Sequence, residues 1–143
     1  MWKTVVTIMS IMAMAKIMSH SGMIAEIAGM MVALTGSFYP AAAPFVGAIG
    51  TFVTGSGTSA NVLFGGLQVE TAGSLGLDPS WLAGANTVGA TIGKMISPQS
   101  IAIGTAATAS VGSESKILRK VIKYCVLFII IAGLVAYAGS RFA

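Results

Sequence analysis

The chain has 143 residues, of which 55% are hydrophobic and 8% are charged, and its formal net charge is +4. A soluble domain usually has about a quarter of its residues charged, because its surface must face water. The composition excludes a soluble domain and predicts an all-α integral membrane protein in the lipid bilayer. Four of the eight Lys and Arg lie in one short segment, a distribution that indicates membrane topology and not a nucleic-acid-binding face.

Two apolar segments begin the chain. Residues 2–20 would span about 28 Å as a helix, close to the roughly 30 Å of a bilayer core, which predicts a transmembrane helix. We prefer this to a cleaved secretory signal because the apolar residues continue through Met18. Residues 23–35 predict a short helix of about 20 Å, which cannot cross alone and should lie at an interface or against other helices.

A polar segment interrupts the next apolar region, residues 40–69. It consists of small, hydroxylated and amide residues: Thr54, Gly55, Ser56, Gly57, Thr58, Ser59, Ala60 and Asn61. Non-helical backbone at membrane depth is tolerated only where protein or a water-filled cavity surrounds it. The pattern predicts a re-entrant helical hairpin whose tip is unwound over residues 54–61.

Residues 82–109 form a second interrupted segment, broken at Ser97, Pro98, Gln99 and Ser100. Pro98 lacks a backbone N–H and disfavours helix at Ser97, so this is predicted to be a Pro-broken transmembrane helix. The last apolar segment, residues 121–138, predicts a final transmembrane helix in which Cys125 is a buried structural thiol. Together these elements form a helical bundle.

The remaining charges predict the orientation. The loop at residues 70–81 has no Lys or Arg, whereas the loop at 112–123 contains Lys116, Arg119, Lys120 and Lys123. Because cytoplasmic loops carry an excess of cations, residues 112–123 should be cytoplasmic and the C-terminus outside.

The two polar breaks are the main functional signal. Half-helix N-termini can bind an anion near the membrane midplane, and unwound carbonyls can hold a cation. The predicted substrate-binding residues are Thr54, Gly55, Ser56, Gly57, Thr58, Ser59, Asn61, Lys94, Ser97, Pro98, Gln99 and Ser100. The alternative for the tip is simple helix packing, the role expected of Gly29, Gly47, Gly50, Gly89 and Gly93.

Three titratable residues are further candidates. Lys94 could supply positive potential near a substrate carboxylate, or it could snorkel to the cytoplasmic interface. His20 and Glu26 are the candidates for proton coupling in the first third of the chain. One Cys and one His cannot form a metal cluster, and no acid pair or nucleophile with its base is visible. Neither an enzyme nor a cofactor is predicted.

At several of these residues the chain resembles the C-terminal part of the L-lactate permease family. The matching stretches are Ser21-Gly22-Met23, Pro44-Phe45-Val46-Gly47, residues 52–65 around the tip, and Gly93-Lys94-Met95-Ile96-Ser97-Pro98-Gln99-Ser100-Ile101-Ala102. The resemblance implies a secondary transporter of L-lactate and related 2-hydroxy monocarboxylates such as glycolate. It implies proton symport across the bacterial cytoplasmic membrane, and two inverted repeats that each contain a hairpin and a broken helix.

Such permeases are several times longer than this chain, which is therefore expected to be a C-terminal repeat. Its partner would be a missing N-terminal repeat or a second copy of the chain, since the site in such folds lies between repeats. An ion channel is an alternative, because a polar hairpin can also line a pore. A structural membrane subunit without transport is the third interpretation.

Overall fold

The computed structural model describes residues 2–110 and 112–142, and neither range contains a strand. The helices are α1 (Trp2–His20), α2 (Met23–Thr35), α3 (Tyr39–Thr54), α4 (Gly57–Leu75), α5 (Pro79–Gly93), α6 (Pro98–Ala107) and α7 (Glu114–Gly139). Single 3-10 turns lie at Gly36–Phe38 and Lys94–Ile96. The all-helical class is therefore as predicted.

Two helical stretches in the described ranges are long and apolar enough to cross a membrane. They are Met23–Thr54, with 32 residues, and Glu114–Gly139, with 26. The first joins α2 to α3 through the 3-10 turn at Gly36–Phe38. The short helix expected at residues 23–35 is therefore present, but it continues into the first arm of the hairpin instead of standing apart.

Local capping makes the loops shorter than predicted. The carboxylate of Asp78 accepts a hydrogen bond from the Ser80 backbone N–H (2.8 Å), and Pro79 occupies the first turn, so α5 begins at residue 79 rather than 82. The preceding helix ends at Leu75 because Gly76 adopts a left-handed conformation (φ +66°). The predicted loop at residues 70–81 is reduced to residues 76–78.

The basic segment is also helical. Helix α7 begins at Glu114, so Lys116, Arg119, Lys120 and Lys123 lie in its first three turns and not in a loop at residues 112–123. Lys and Arg are good helix formers, and Glu114 accepts a hydrogen bond from the Gly112 backbone N–H (3.1 Å) at the helix start. The final helix is thus longer than the predicted residues 121–138.

Helices α3 and α5 pack closely through small residues. A methyl group at Gly89 would overlap the carbonyl oxygen of Pro44, and one at Gly93 would overlap that of Ala48. The same number of residues separates Pro44 from Gly89 and Ala48 from Gly93, so the contact moves in the same direction along both helices and the helices run parallel. This confirms the packing role predicted for Gly89 and Gly93.

The other three isolated glycines differ in what an added Cβ would contact. Gly47 also lies against the α5 backbone, and a Cβ at Gly50 would come 2.9 Å from the Cβ of Ala60 on α4. Gly29, in contrast, has no such neighbour within 4 Å among the residues that the structure describes. The packing prediction is therefore confirmed for four of the five isolated glycines, and for Gly29 it stays a prediction.

Helix α7 packs antiparallel to α5 and closes the bundle. The indole N–H of Trp81 donates a hydrogen bond to the Ala136 carbonyl (2.9 Å) near one end. Near the other end, Cys125 is fully buried with its Sγ 3.8 Å from the Ile92 carbonyl oxygen. The thiol is buried as predicted.

Candidate functional site

The hairpin between α3 and α4 turns over only two residues. Gly55 adopts a left-handed conformation (φ +70°) and Ser56 is extended. The hydroxyl of Ser56 accepts a hydrogen bond from the Ser59 backbone N–H (3.3 Å) and so caps α4. This capping bond explains why Gly57, Thr58, Ser59 and Asn61 are helical, and the predicted unwinding over residues 54–61 is wrong.

The hydroxyl groups at the turn are partly used in local structure. The Thr54 hydroxyl donates to the Gly50 carbonyl (2.8 Å) and accepts from the Ser56 backbone N–H (3.2 Å). Thr58 is exposed, and Ser59 and Asn61 are half-buried in the first two turns of α4. The side chains of Thr54 and Ser56 thus stabilise the turn, whereas Thr58 is accessible to a ligand.

The second break lies slightly earlier than predicted. The 3-10 turn Lys94–Ile96 ends α5, Ser97 is extended (ψ 125°), and α6 begins at Pro98. Pro98, Gln99 and Ser100 therefore form the first turn of a helix and are not an unwound segment. The position of Pro98 at the start of α6 accounts for the shift, because its fixed φ suits the first helical turn.

The structure brings the two breaks together. The side-chain oxygen of Gln99 lies against Gly55, so closely that a Cβ at Gly55 would overlap it. The number of residues between Gly55 and Gln99 is nearly the same as that between Pro44 and Gly89 and between Ala48 and Gly93. The parallel packing of α3 and α5 therefore places both breaks at the same level of the bundle.

Two buried hydroxyl groups near this level lack partners. The Oγ1 of Thr51 and the Oγ of Ser97 are fully buried and have no hydrogen-bond partner among the residues that the structure describes. A buried polar group left without a partner costs roughly 1–3 kcal/mol. Such groups are expected where a ligand, an ion or an ordered water completes the site.

The N-terminus of α6 adds donors at the same place. The backbone N–H groups of Gln99 and Ser100 have no acceptor within their own helix, and within residues 2–110 Ser97 provides no side-chain cap. Free N–H groups and the helix dipole favour an anion at such an end. Uncapped backbone donors and an unpaired buried hydroxyl therefore lie within three residues of each other at this break.

Lys94 lies in a separate cleft. Its exposed side chain lines a cavity of about 350 Å³ together with Ser100, Thr105 and Thr108. Ser100 is the only predicted site residue that shares this cleft, since Gln99 contacts the hairpin turn. The structure thus divides the predicted residues between the turn and a cleft on the α6 side.

The two candidates for proton coupling lie near the turn between α1 and α2. His20 ends α1, and its Nδ1 is 3.0 Å from the Lys16 carbonyl oxygen. Glu26 is exposed in the first turn of α2. In residues 2–110 and 112–142, no three His, Cys, Asp or Glu side chains come together as metal ligands.

The sequence analysis did not predict a series of hydrogen-bonded polar side chains in the interior of the bundle. Tyr39, Gln68 and Asn86 are buried and connect through hydrogen bonds to Asn61. A signal was available, because Gln68 follows Asn61 by seven residues and so lies on the same face of α4. Thr51, one of the two unpaired hydroxyls, was also missed because a single Thr in an apolar helix is common.

Comparison with known proteins identifies the family. The family model described as L-lactate permease matches residues 1–141. The chain belongs to the L-lactate permease family. No solved structure matches this member of the family significantly.

Individual relatives in the L-lactate permease family are similar in sequence to most of this chain. It is 43% identical to the L-lactate permease of Bacillus subtilis over 133 residues, which cover 93% of this chain and 23% of that protein. It is 42% identical to a glycolate permease of Escherichia coli over 92% of this chain and 23% of that protein. With an L-lactate permease of Streptococcus iniae the identity is 59%, over 57% of this chain and 17% of that protein. The chain spans about a quarter of the length of the first two.

Proposed function

We propose that this chain contributes a substrate site to a secondary active transporter of L-lactate and related 2-hydroxy monocarboxylates, coupled to proton symport in the bacterial cytoplasmic membrane. Relatives similar over nearly the whole chain are named as permeases for lactate and for glycolate. Both substrates carry a carboxylate beside a hydroxyl group. A site for them needs donors for the anion and a partner for the hydroxyl.

The buried, unpartnered hydroxyl of Ser97 carries this proposal. It lies next to the free backbone N–H groups of Gln99 and Ser100, so a carboxylate bound there would accept hydrogen bonds from all three. The second unpaired hydroxyl, that of Thr51, would then serve the substrate hydroxyl from the α3 side.

The remaining predicted residues have supporting roles in this proposal. Gly55 and Gly57 allow close approach of the backbone at the turn, Thr58, Ser59 and Asn61 line the N-terminal turns of α4, and Lys94 attracts anions to the cleft beside α6.

We further propose that α3 and α4 form a re-entrant hairpin and that α5 and α6 form the broken transmembrane helix of one repeat. The parallel course of α3 and α5 supports this, because both helices then enter from the same side and end at the same depth. In this arrangement residues 76–78 lie outside and the basic N-terminal turns of α7 lie in the cytoplasm. An N-terminal repeat or a second copy of the chain would complete the site.

Uptake of radiolabelled L-lactate into proteoliposomes tests the proposal. The chain is reconstituted alone and together with the upstream part of the Bacillus subtilis relative, with and without an inward proton gradient. We expect saturable uptake that the gradient stimulates. The Ser97→Ala variant should reduce it about tenfold or more, since a hydrogen bond to a charged group contributes roughly 1.5–3 kcal/mol.

Ser74→Ala is the matched control, because the exposed Ser74 hydroxyl bonds only to the Glu70 carbonyl of its own helix (3.1 Å). Its uptake should equal that of the unsubstituted chain. Ohmic conductance in place of saturable uptake would refute the carrier in favour of a channel. Absence of uptake in both reconstitutions would favour a structural subunit.

A further inference from the structure

Four polar side chains form a continuous chain of hydrogen bonds through the interior of the bundle. The Tyr39 hydroxyl donates to Gln68 Oε1 (3.0 Å), Gln68 Nε2 donates to Asn86 Oδ1 (3.2 Å), and Asn86 Nδ2 donates to Asn61 Oδ1 (2.9 Å). This series of hydrogen bonds links the start of α3, the middle of α4 and the middle of α5. Tyr39, Gln68 and Asn86 are each no more than 1% exposed.

The order of donors and acceptors runs in one direction. Each amide accepts with its oxygen from the preceding residue and donates with its nitrogen to the next, beginning at the Tyr39 hydroxyl. At the far end, the oxygen of Asn61 is occupied by Asn86. The two N–H groups of the Asn61 amide are therefore not used within this series of hydrogen bonds, and they can donate to another partner.

Asn61 lies one helical turn after Gly57, where α4 begins at the hairpin turn, and its side chain is half-buried. A side-chain amide can present either its oxygen or its nitrogen, and only the nitrogen attracts a carboxylate. A fixed amide orientation thus decides whether this position attracts or repels an anion.

We infer that Tyr39, Gln68 and Asn86 are positioning residues that hold the Asn61 amide with its N–H groups available to a substrate carboxylate at the hairpin turn. The inference rests on the proposed function, because it concerns the same site. It gives the predicted site residue Asn61 the role of binding the anion from the α4 side, and it adds the means by which the orientation of its amide is set.

The Tyr39→Phe variant tests the direction with the smallest change in volume. The full chain is reconstituted in nanodiscs together with the upstream part of the Bacillus subtilis relative, and binding of L-lactate and of its uncharged amide, lactamide, is measured by titration. Loss of the terminal donor should weaken L-lactate binding roughly fivefold, because the Asn61 amide can then turn its oxygen toward the anion. Lactamide binding should change less than twofold, since an amide ligand can pair with either orientation.

A double-mutant cycle separates positioning from general stability. Asn61→Ala should weaken L-lactate binding about tenfold or more, and adding Tyr39→Phe to it should have no further effect. Thr87→Val is the matched control, because the exposed Thr87 hydroxyl on α5, next to Asn86, bonds only to the Ala83 carbonyl of its own helix (2.9 Å). It should leave both affinities unchanged.

The outcomes distinguish this inference from the proposed function. If the unsubstituted chain binds L-lactate and Tyr39→Phe only lowers the melting temperature, the positioning role is overturned while the substrate site stands. Equal weakening of L-lactate and lactamide, or additive effects of the two substitutions, would also overturn it. Failure of the unsubstituted chain to bind L-lactate when it is reconstituted with the upstream part would overturn both.

Discussion

Replacement of Gly89 by alanine is expected to separate the two helices that hold the breaks together. The Cβ added at this position would overlap the carbonyl oxygen of Pro44, which belongs to the α3 backbone and cannot rotate away. Restoring an ordinary carbon–oxygen contact requires α3 and α5 to move apart by roughly 1.5 Å. Because Gln99 on α6 lies against Gly55 in the turn that follows α3, and both come shortly after the packed helices end, this movement should also open the contact between the breaks.

The matched control is Gly84→Ala on the same helix, where an added Cβ would meet nothing within 4 Å. Both substitutions gain helix propensity, by about 1 kcal/mol each. Only Gly89→Ala incurs the cost of overpacking, which is typically about 1–3 kcal/mol. The two variants should therefore differ in free energy of unfolding by about 1–3 kcal/mol, with Gly84→Ala the more stable.

Unfolding in mixed detergent micelles, followed by the helical circular dichroism signal, measures this difference. L-lactate binding measured on the same samples should be weaker in Gly89→Ala and unchanged in Gly84→Ala. Equal stability of the two variants would refute the close parallel packing of α3 and α5. Reduced stability with unchanged binding would refute the link between that packing and the site.

Three further predictions concern the breaks and the buried thiol. Gly55→Ala should lower the free energy of unfolding by about 1–2 kcal/mol, because Gly55 is left-handed and contacts Gln99. Gly57→Ala should not lower it, because a Cβ at Gly57 would point into open space, and a chemical unfolding titration compares the two variants. Ser97→Ala should leave stability unchanged or raise it by up to about 1 kcal/mol while weakening L-lactate binding, and a loss of stability would show that its hydroxyl is paired in the fold. Cys125 should react with a maleimide only after unfolding, and rapid labelling of the folded chain by mass spectrometry would contradict its burial.

Much of the architecture could be read from the sequence because local patterns determine it. The hydrophobic composition required a membrane environment, and Pro98 required an interruption of the helix after α5. The extent of each interruption could not be read in the same way. Whether Ser56 caps α4, and so keeps residues 57–61 helical, depends on a single hydrogen bond that composition does not reveal.

The sequence by itself determined the membrane class, the two interruptions and the family, because these follow from hydropathy, from proline and glycine chemistry and from contiguous motifs. Only the tertiary structure decided which polar groups meet. It separated Lys94 from Gln99, left the hydroxyls of Thr51 and Ser97 buried without partners, and joined Tyr39 to Asn61 through two amides. The physical reason is that close packing at Gly89 sets the register of α3 against α5, and such long-range contacts leave no local pattern in the sequence.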